Sequence, residues 1–321
     1  AEPTQQVQQT DAPEPTAVNP RAIAASHHLL AAALYPETPK RADVFDSEKA
    51  EDYLAYSRAI RDGVETYRGS LDGYLRSSLP VLLSDEDGEN KVCSPLNVYL
   101  ALAMLAESTG GETRQQLLDL LGTEDIGTLR TRAKALWNAN YQDGQMSKCL
   151  LSSSLWLNEA ADYVPEAIDT LAEDYYADVF RGDMGSEEYS QTLRDWTNGQ
   201  TGGQLEQYVS DLGFDWRTVL ALVTAVDFHA KWLDEFNAEE TVPGTFRAPD
   251  GEWDCEFLSE AGLTKPYWWG EHFSAVQKEI EMEYGEGMLW LILPDEGFSP
   301  EALADDPELL DFLLCGDHGV R

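Results

Sequence analysis

The sequence predicts an α+β fold built on large antiparallel sheets, and three observations carry that reading. Up to about Asn198 apolar side chains recur mostly at helical spacing, whereas from Trp232 onward short aromatic-rich runs take over. Thr218 to Val226, TVLALVTAV, is continuous, β-branched and too short to cross a membrane, which is the pattern of a strand covered on both faces. The stretch opened by Ser94-Pro95 has the composition of a helix at the centre of a core.

Taken in order, residues 1–20, AEPTQQVQQTDAPEPTAVNP, offer almost nothing to bury and read as a disordered tether. Residues 1–45 are set apart as that N-terminal tether and 46–321 as the folded domain. Residues 46–63 space a few apolar side chains helically, which reads as a surface helix or an N-terminal extension. Between Glu65 and Leu83 the positions Leu71, Tyr74, Leu75, Leu79, Leu82 and Leu83 make a clearer amphipathic helix, ended by the acidic turn Asp85-Glu86-Asp87-Gly88. Ser94 suits an N-cap, and Pro95 the first helical position, where its missing N–H had no partner. Leu96 to Ala106 is apolar at nearly every position, so a helix buried on all sides is expected. A second helix, Glu112 to Leu121, sets Leu117, Leu118, Leu120 and Leu121 on one side and stops at Gly122, suited to a left-handed position. Helical spacing returns up to about Tyr141. Cys149 to Leu157 then reads as a strand, Ala167 to Tyr176 and Glu187 to Asn198 as helices, and Gly199 to Gly203 as a turn. TVPGTF, EFL, PYWW, FSAV and MLWLILP follow as strands joined by hairpins.

A chain with 43% apolar and 10% aromatic residues can bury a large core. Its 59 Asp and Glu against 22 Lys and Arg leave a formal charge of −37, which repels nucleic acid and anionic membranes and favours a monomer. Such a balance suits an acidic exported protein or a salt-rich medium. No run of eighteen apolar residues occurs. The start at Ala1 fits a removed signal peptide or an engineered start, and the expected location is extracellular or tethered at the cell surface.

The motifs that carry common catalytic chemistry do not occur in the sequence. There is no G-x-S-x-G, no P-loop, no H-E-x-x-H and no G-x-G-x-x-G after a strand. Cys93, Cys149, Cys255 and Cys315 lie far apart, with no C-x-x-C pair and no His at ligand spacing, so no zinc site is expected. Cys93 reads as a small buried hydrophobe within the apolar helical stretch. Asp85 to Gly88 has its glycine in the wrong place for a calcium loop and lacks the bidentate Glu. His27 and His28 adjoin the tether, and His229, His272 and His318 occur singly, so each reads as structural. Neither enzymatic activity, nor a metal, nor a cofactor is expected.

One resemblance emerges when the apolar helix is read with its neighbours. Asn90-Lys91-Val92-Cys93-Ser94-Pro95-Leu96 resembles the serpin motif in which Asn precedes a short hydrophobic stretch and Ser-Pro opens the central helix. The continuation LALAMLAESTGGETRQQLLDLLG is similar to the family's next two helices. Further along, Asp195-Trp196 with Thr201 and Gly203, then LALVTAVDFHAKWLDEF with Lys231, Trp232 and Phe236, match in the same order. Thr241 with Phe246 follows, and then Phe273, Ala275, Val276 and Leu293-Pro294-Asp295-Glu296, so that the likeness runs over residues 66–314.

The resemblance implies a single serpin-like α+β domain with a large, mostly antiparallel central sheet, smaller sheets and about eight or nine helices. It also implies a C-terminally incomplete one, since the family's reactive loop and closing strands would lie after Arg321. On the same resemblance Asn90, Ser94, Asn97, Thr224 and Trp232 fall in the region under the main sheet that lets it open. Asn97 stands where the family usually has a serine, Thr224 where it has an asparagine, Asp227 replaces an aromatic and Arg194 an asparagine. Charges placed there need partners if buried. The implied function is suicide inhibition of a serine or cysteine protease by loop insertion. A non-inhibitory binding or storage protein on the same scaffold is the alternative, and a hydrolase the third. No embedded carboxylate pair supports the last.

Overall fold

Turn chemistry and side-chain spacing set most boundaries in the computed structural model, which describes residues 26–67, 69–84, 90–144, 146–248, 251–260, 266–285 and 287–314. The acidic turn at 85–88 and residues 1–25 of the tether lie outside them. The described residues form two compact units, a larger one within residues 35–151 and 228–314 and a smaller one within residues 26–34 and 152–227. Among the described residues there are nine α-helices and ten strands.

In the larger unit α1 (Ala50–Tyr67) buries no side chain, as its sparse apolar positions predict. The next helix, α2 (Asp72–Leu83), starts later than periodicity alone suggests. Gly69 at φ +75 turns the chain between the two, a conformation open to glycine at no cost. Ser94 then caps α3 (Pro95–Ser108), its Oγ accepting the Asn97 N–H at 3.3 Å. Tyr99, Ala103, Met104 and Ala106 are fully buried, but Leu96, Leu102 and Leu105 are only half-buried. The expectation of burial on all sides is corrected for a simple reason: α2, α4 (Gly111–Leu120) and α5 (Ile126–Asn140) cover only part of the circumference. The helix α4 ends as predicted, with Gly122 at φ +65. The Thr123 N–H reaches the Leu118 carbonyl and the Gly122 N–H that of Asp119, the bonding of a Schellman cap. Leu121 is buried, whereas Leu120 is exposed and so does not share the apolar side assigned to it.

The hairpins predicted after Trp232 form. Strands β6 (Val242–Ala248) and β7 (Gly251–Phe257) pair antiparallel, and β9 (Phe273–Ile280) lies antiparallel between β8 (Tyr267–Trp269) and β10 (Gly287–Pro294). Phe273 and Ala275 of β9 pack with Leu303 of α8 (Pro300–Ala304) and with Leu309 and Phe312 of α9 (Pro307–Leu314).

The smaller unit is a sheet with helices. Strand β1 (Leu29–Ala31) pairs antiparallel with β4 (Ala177–Gly182), and β4 runs parallel to β3 (Ser147–Asn158). The β1 strand falls within the stretch 1–45 read as a tether. A parallel pair requires a crossover, supplied by α6 (Pro165–Asp174). Trp156, Phe180, Met184, Tyr189, Leu193, Trp196 and Ala225 form the core, with Tyr189, Leu193 and Trp196 contributed by α7 (Glu187–Gln200). The apolar strand predicted at 218–226 is β5 (Leu220–Ala230), paired with β3. Its cover on both faces is not found. From Leu220 to Asp227 only Ala225 is buried, because β5 pairs with β3 alone among the described strands and only Ala221, Val223 and Ala225 face the core cluster.

Candidate functional site

Of the five residues marked by the sequence, the structure joins two directly. Asn97 is buried, and both its N–H and its Oδ1 meet Ser94 Oγ, at 3.3 and 3.4 Å, so this asparagine closes a local ring at the start of α3. The Pro95 carbonyl in the same turn accepts the Tyr74 hydroxyl at 3.0 Å, and the Tyr74 and Tyr99 rings meet edge to face at 5.2 Å. Burial pushes the Tyr74 phenol up, which keeps it a donor. Asn90 is exposed in the coil before the cap. Cys93 also lies in that coil, half-buried, rather than within the helix as expected, because Ser94 and not the cysteine begins the hydrogen-bonded turn.

Thr224 sits in β5, in the smaller unit, and is half-buried. Its neighbour Val223 offers its carbonyl to Ser154 Oγ at 3.1 Å. The two charges that depart from the family pattern both have partners. Arg194 pairs with Glu187 and donates to the Leu212 carbonyl at 2.7 Å, while Asp227 accepts Gln204 Nε2 at 3.2 Å. Neither is a stranded buried charge.

Trp232, in the larger unit, belongs to a cluster that sequence spacing did not disclose. It bridges to Ile280 and sets its ring edge to face with Phe236 at 5.8 Å. Over these rings lies Lys278 Nζ, 4.3 Å from the Phe236 centroid and 6.0 Å from that of Trp232. The ammonium donates to the Asp234 carbonyl at 2.6 Å and pairs with Glu260 at 2.9 Å, both side chains being largely buried. A lysine inside an apolar strand run was the only available signal, since its partners lie 18 to 46 residues away in sequence.

A cleft of about 600 Å³ in the larger unit is lined by Tyr53, Glu279, Glu281, Glu283 and Tyr284 among others. Burial, then the nearby Tyr56 and Glu283, push the Tyr284 phenol up. The Glu283 N–H is held by Gln142 Oε1 at 2.9 Å and Ser147 Oγ at 2.8 Å, which ties the turn between β2 (Gln142–Asp143) and β3 to the cleft.

A family model described as serpin, serine protease inhibitor, matches residues 78–305. The human leukocyte elastase inhibitor is 29% identical over 212 residues, covering 64% of this chain and 55% of that protein. The native-state structure of tengpin, a thermophilic serpin, superposes with a TM-score of 0.66 at 24% identity, over 76% of this chain and 62% of that one. Human thyroxine-binding globulin superposes with a TM-score of 0.65 at 14% identity, over 76% and 68%. The chain spans about half the length of the curated relatives it matches. It belongs to the serpin family.

Proposed function

We propose that this chain is the sheet-bearing body of an inhibitor that traps a serine or cysteine protease by taking up a cleaved loop as a new strand. The observation that carries the reading is β5. It is apolar, only half-buried, and paired with β3 alone among the described strands. A strand in that state presents N–H and C=O groups that another strand can pair. The cleavage step comes from the family: the protease cuts an exposed loop, and insertion outruns hydrolysis of the acyl-enzyme. Such a protein is an inhibitor and not an enzyme. The −37 charge supports a monomer by self-repulsion, and the N-terminal composition supports export.

The test is incubation of the protein, including any sequence the gene carries after Arg321, with an elastase and a trypsin. A denaturant-resistant protease complex is expected. Cleavage without a complex supports the second reading, a binding or storage protein on the same scaffold. That reading is favoured by Asn97 and Thr224 at the sheet-opening positions, and human thyroxine-binding globulin shares the fold.

A further inference from the structure

Among the described residues one group of three side chains has the donors of a transition-metal site: His27, His28 and Glu188, all in the smaller unit. One ligand atom from each lies within 4.8 Å of the others. Between His27 Nε2 and Glu188 Oε1 the distance is 3.6 Å. Tetrahedral zinc, with bonds near 2.0 to 2.2 Å, holds its ligand atoms about 3.4 Å apart. The separations to His28 need to close by up to about 1.4 Å, and His27 and Glu188, with side chains 70% and 72% exposed, are free to move.

His28 is the fixed member. Its Nδ1 lies 3.3 Å from the Arg181 carbonyl, which can only accept, so that nitrogen carries the proton and Nε2 keeps its lone pair. Metal-bound histidines are oriented in this way, by a backbone carbonyl on the other ring nitrogen. Nε2 is closed off from the surface and has no hydrogen-bond partner. The ring packs on Tyr189 at 4.9 Å. Room for it depends on Gly182, where a Cβ would come within 2.9 Å of His28 Nδ1 and 2.7 Å of the Tyr189 ring. Glu188 stands in the first turn of α7, behind the Ser186 cap.

We propose that His27, His28 and Glu188 bind one zinc-type divalent ion, with a fourth position left to water. Two imidazole nitrogens and one carboxylate oxygen select zinc, cobalt, nickel or copper over calcium and magnesium, which take oxygen ligands. The ion joins the residues preceding β1 to the start of α7, a staple between segments 160 residues apart in sequence. Against it stands the plain contact of an exposed His with an exposed Glu, which contributes little to stability.

Calorimetric titration with Zn²⁺, in buffer holding excess Mg²⁺ to fill oxygen-only sites on the acidic surface, distinguishes them. One equivalent is expected, weakened at least about tenfold in His27→Gln and in Glu188→Gln. Both substitutions fall on exposed side chains and should leave the circular dichroism unchanged. Two of the five histidine ring signals in a long-range nitrogen NMR spectrum should move with the first equivalent of Zn²⁺. Unaltered affinity in both variants, or binding that moves none of the histidine signals or only those of the other three histidines, overturns the proposal. This outcome is independent of protease inhibition.

Discussion

Strands β3 and β5 pair with each other, yet their burial runs opposite to their hydropathy. From Ser152 to Leu157 β3 reads SSSLWL and every residue is buried, whereas β5 from Leu220 to Val226 reads LALVTAV and buries only Ala225. Position explains it. In this unit β3 has β4 on one side and β5 on the other, while β5 has β3 alone among the described strands. The serines tolerate burial because their hydroxyls find partners: Ser152 Oγ donates to Gln200 Oε1 at 2.8 Å, and Ser154 Oγ accepts Trp156 Nε1 at 2.8 Å while donating to Val223. Burial is thus decided by the number of neighbours a strand has, and a polar strand can occupy the middle if every polar atom is satisfied.

The sharpest way to break the contrast is Trp156→Ala. The ring is fully buried and stacks on Phe180 at 4.1 Å, so the truncation should cost about 3–5 kcal/mol in urea unfolding. A loss below about 1 kcal/mol would mean that the centre of β3 is not the core. Next comes Ser154→Ala, which leaves Trp156 Nε1 without its partner and should cost about 1–3 kcal/mol by the same measurement.

Asp178, opposite Ser154 in register on β4, extends the rule to a carboxylate. Burial raises its pKa, against the lowering effect of the Ala33 N–H and Trp196 Nε1–H bonds. A folded value above the unfolded one means that the folded state holds the proton more tightly. The corresponding stability is complete below about pH 4 and is lost as pH rises through the folded value. The unfolding free energy of the native protein minus that of Asp178→Asn should therefore fall as pH rises from about 4 towards neutrality; a signed difference that rises with pH would refute the assignment. Smallest of all, Val219→Thr, at an exposed position just before β5, should change stability by no more than about 0.5 kcal/mol.

What could be read in advance was local. The Ser94 cap, the Gly122 stop and the hairpin strands follow from residues within a few positions of each other, and these formed where expected. The half-burial of Leu102, the exposure of Leu120 and the half-buried state of β5 could not be read in this way, since periodicity reports which side chains can be buried and not what covers them. The site divides likewise. Ser94 and Asn97 meet because one helical turn joins them, whereas Lys278 on β9 finds Glu260 and Phe236 only because coil segments distant in sequence fold back over that strand. His27 and Glu188 meet only once β1, β4 and α7 are assembled, which is why adjacency to a tether disguised them.

The enclosed ammonium of Lys278 has one more consequence. The chain has eight lysines, and this amine is kept from solvent by two aromatic rings and a carboxylate. An acylating reagent attacks only a free, accessible amine, so Lys278 reacts only in the moments when its surroundings part. The delay of its labelling behind the exposed lysines, followed by peptide mass spectrometry, is a clock for the breathing of the three-stranded sheet.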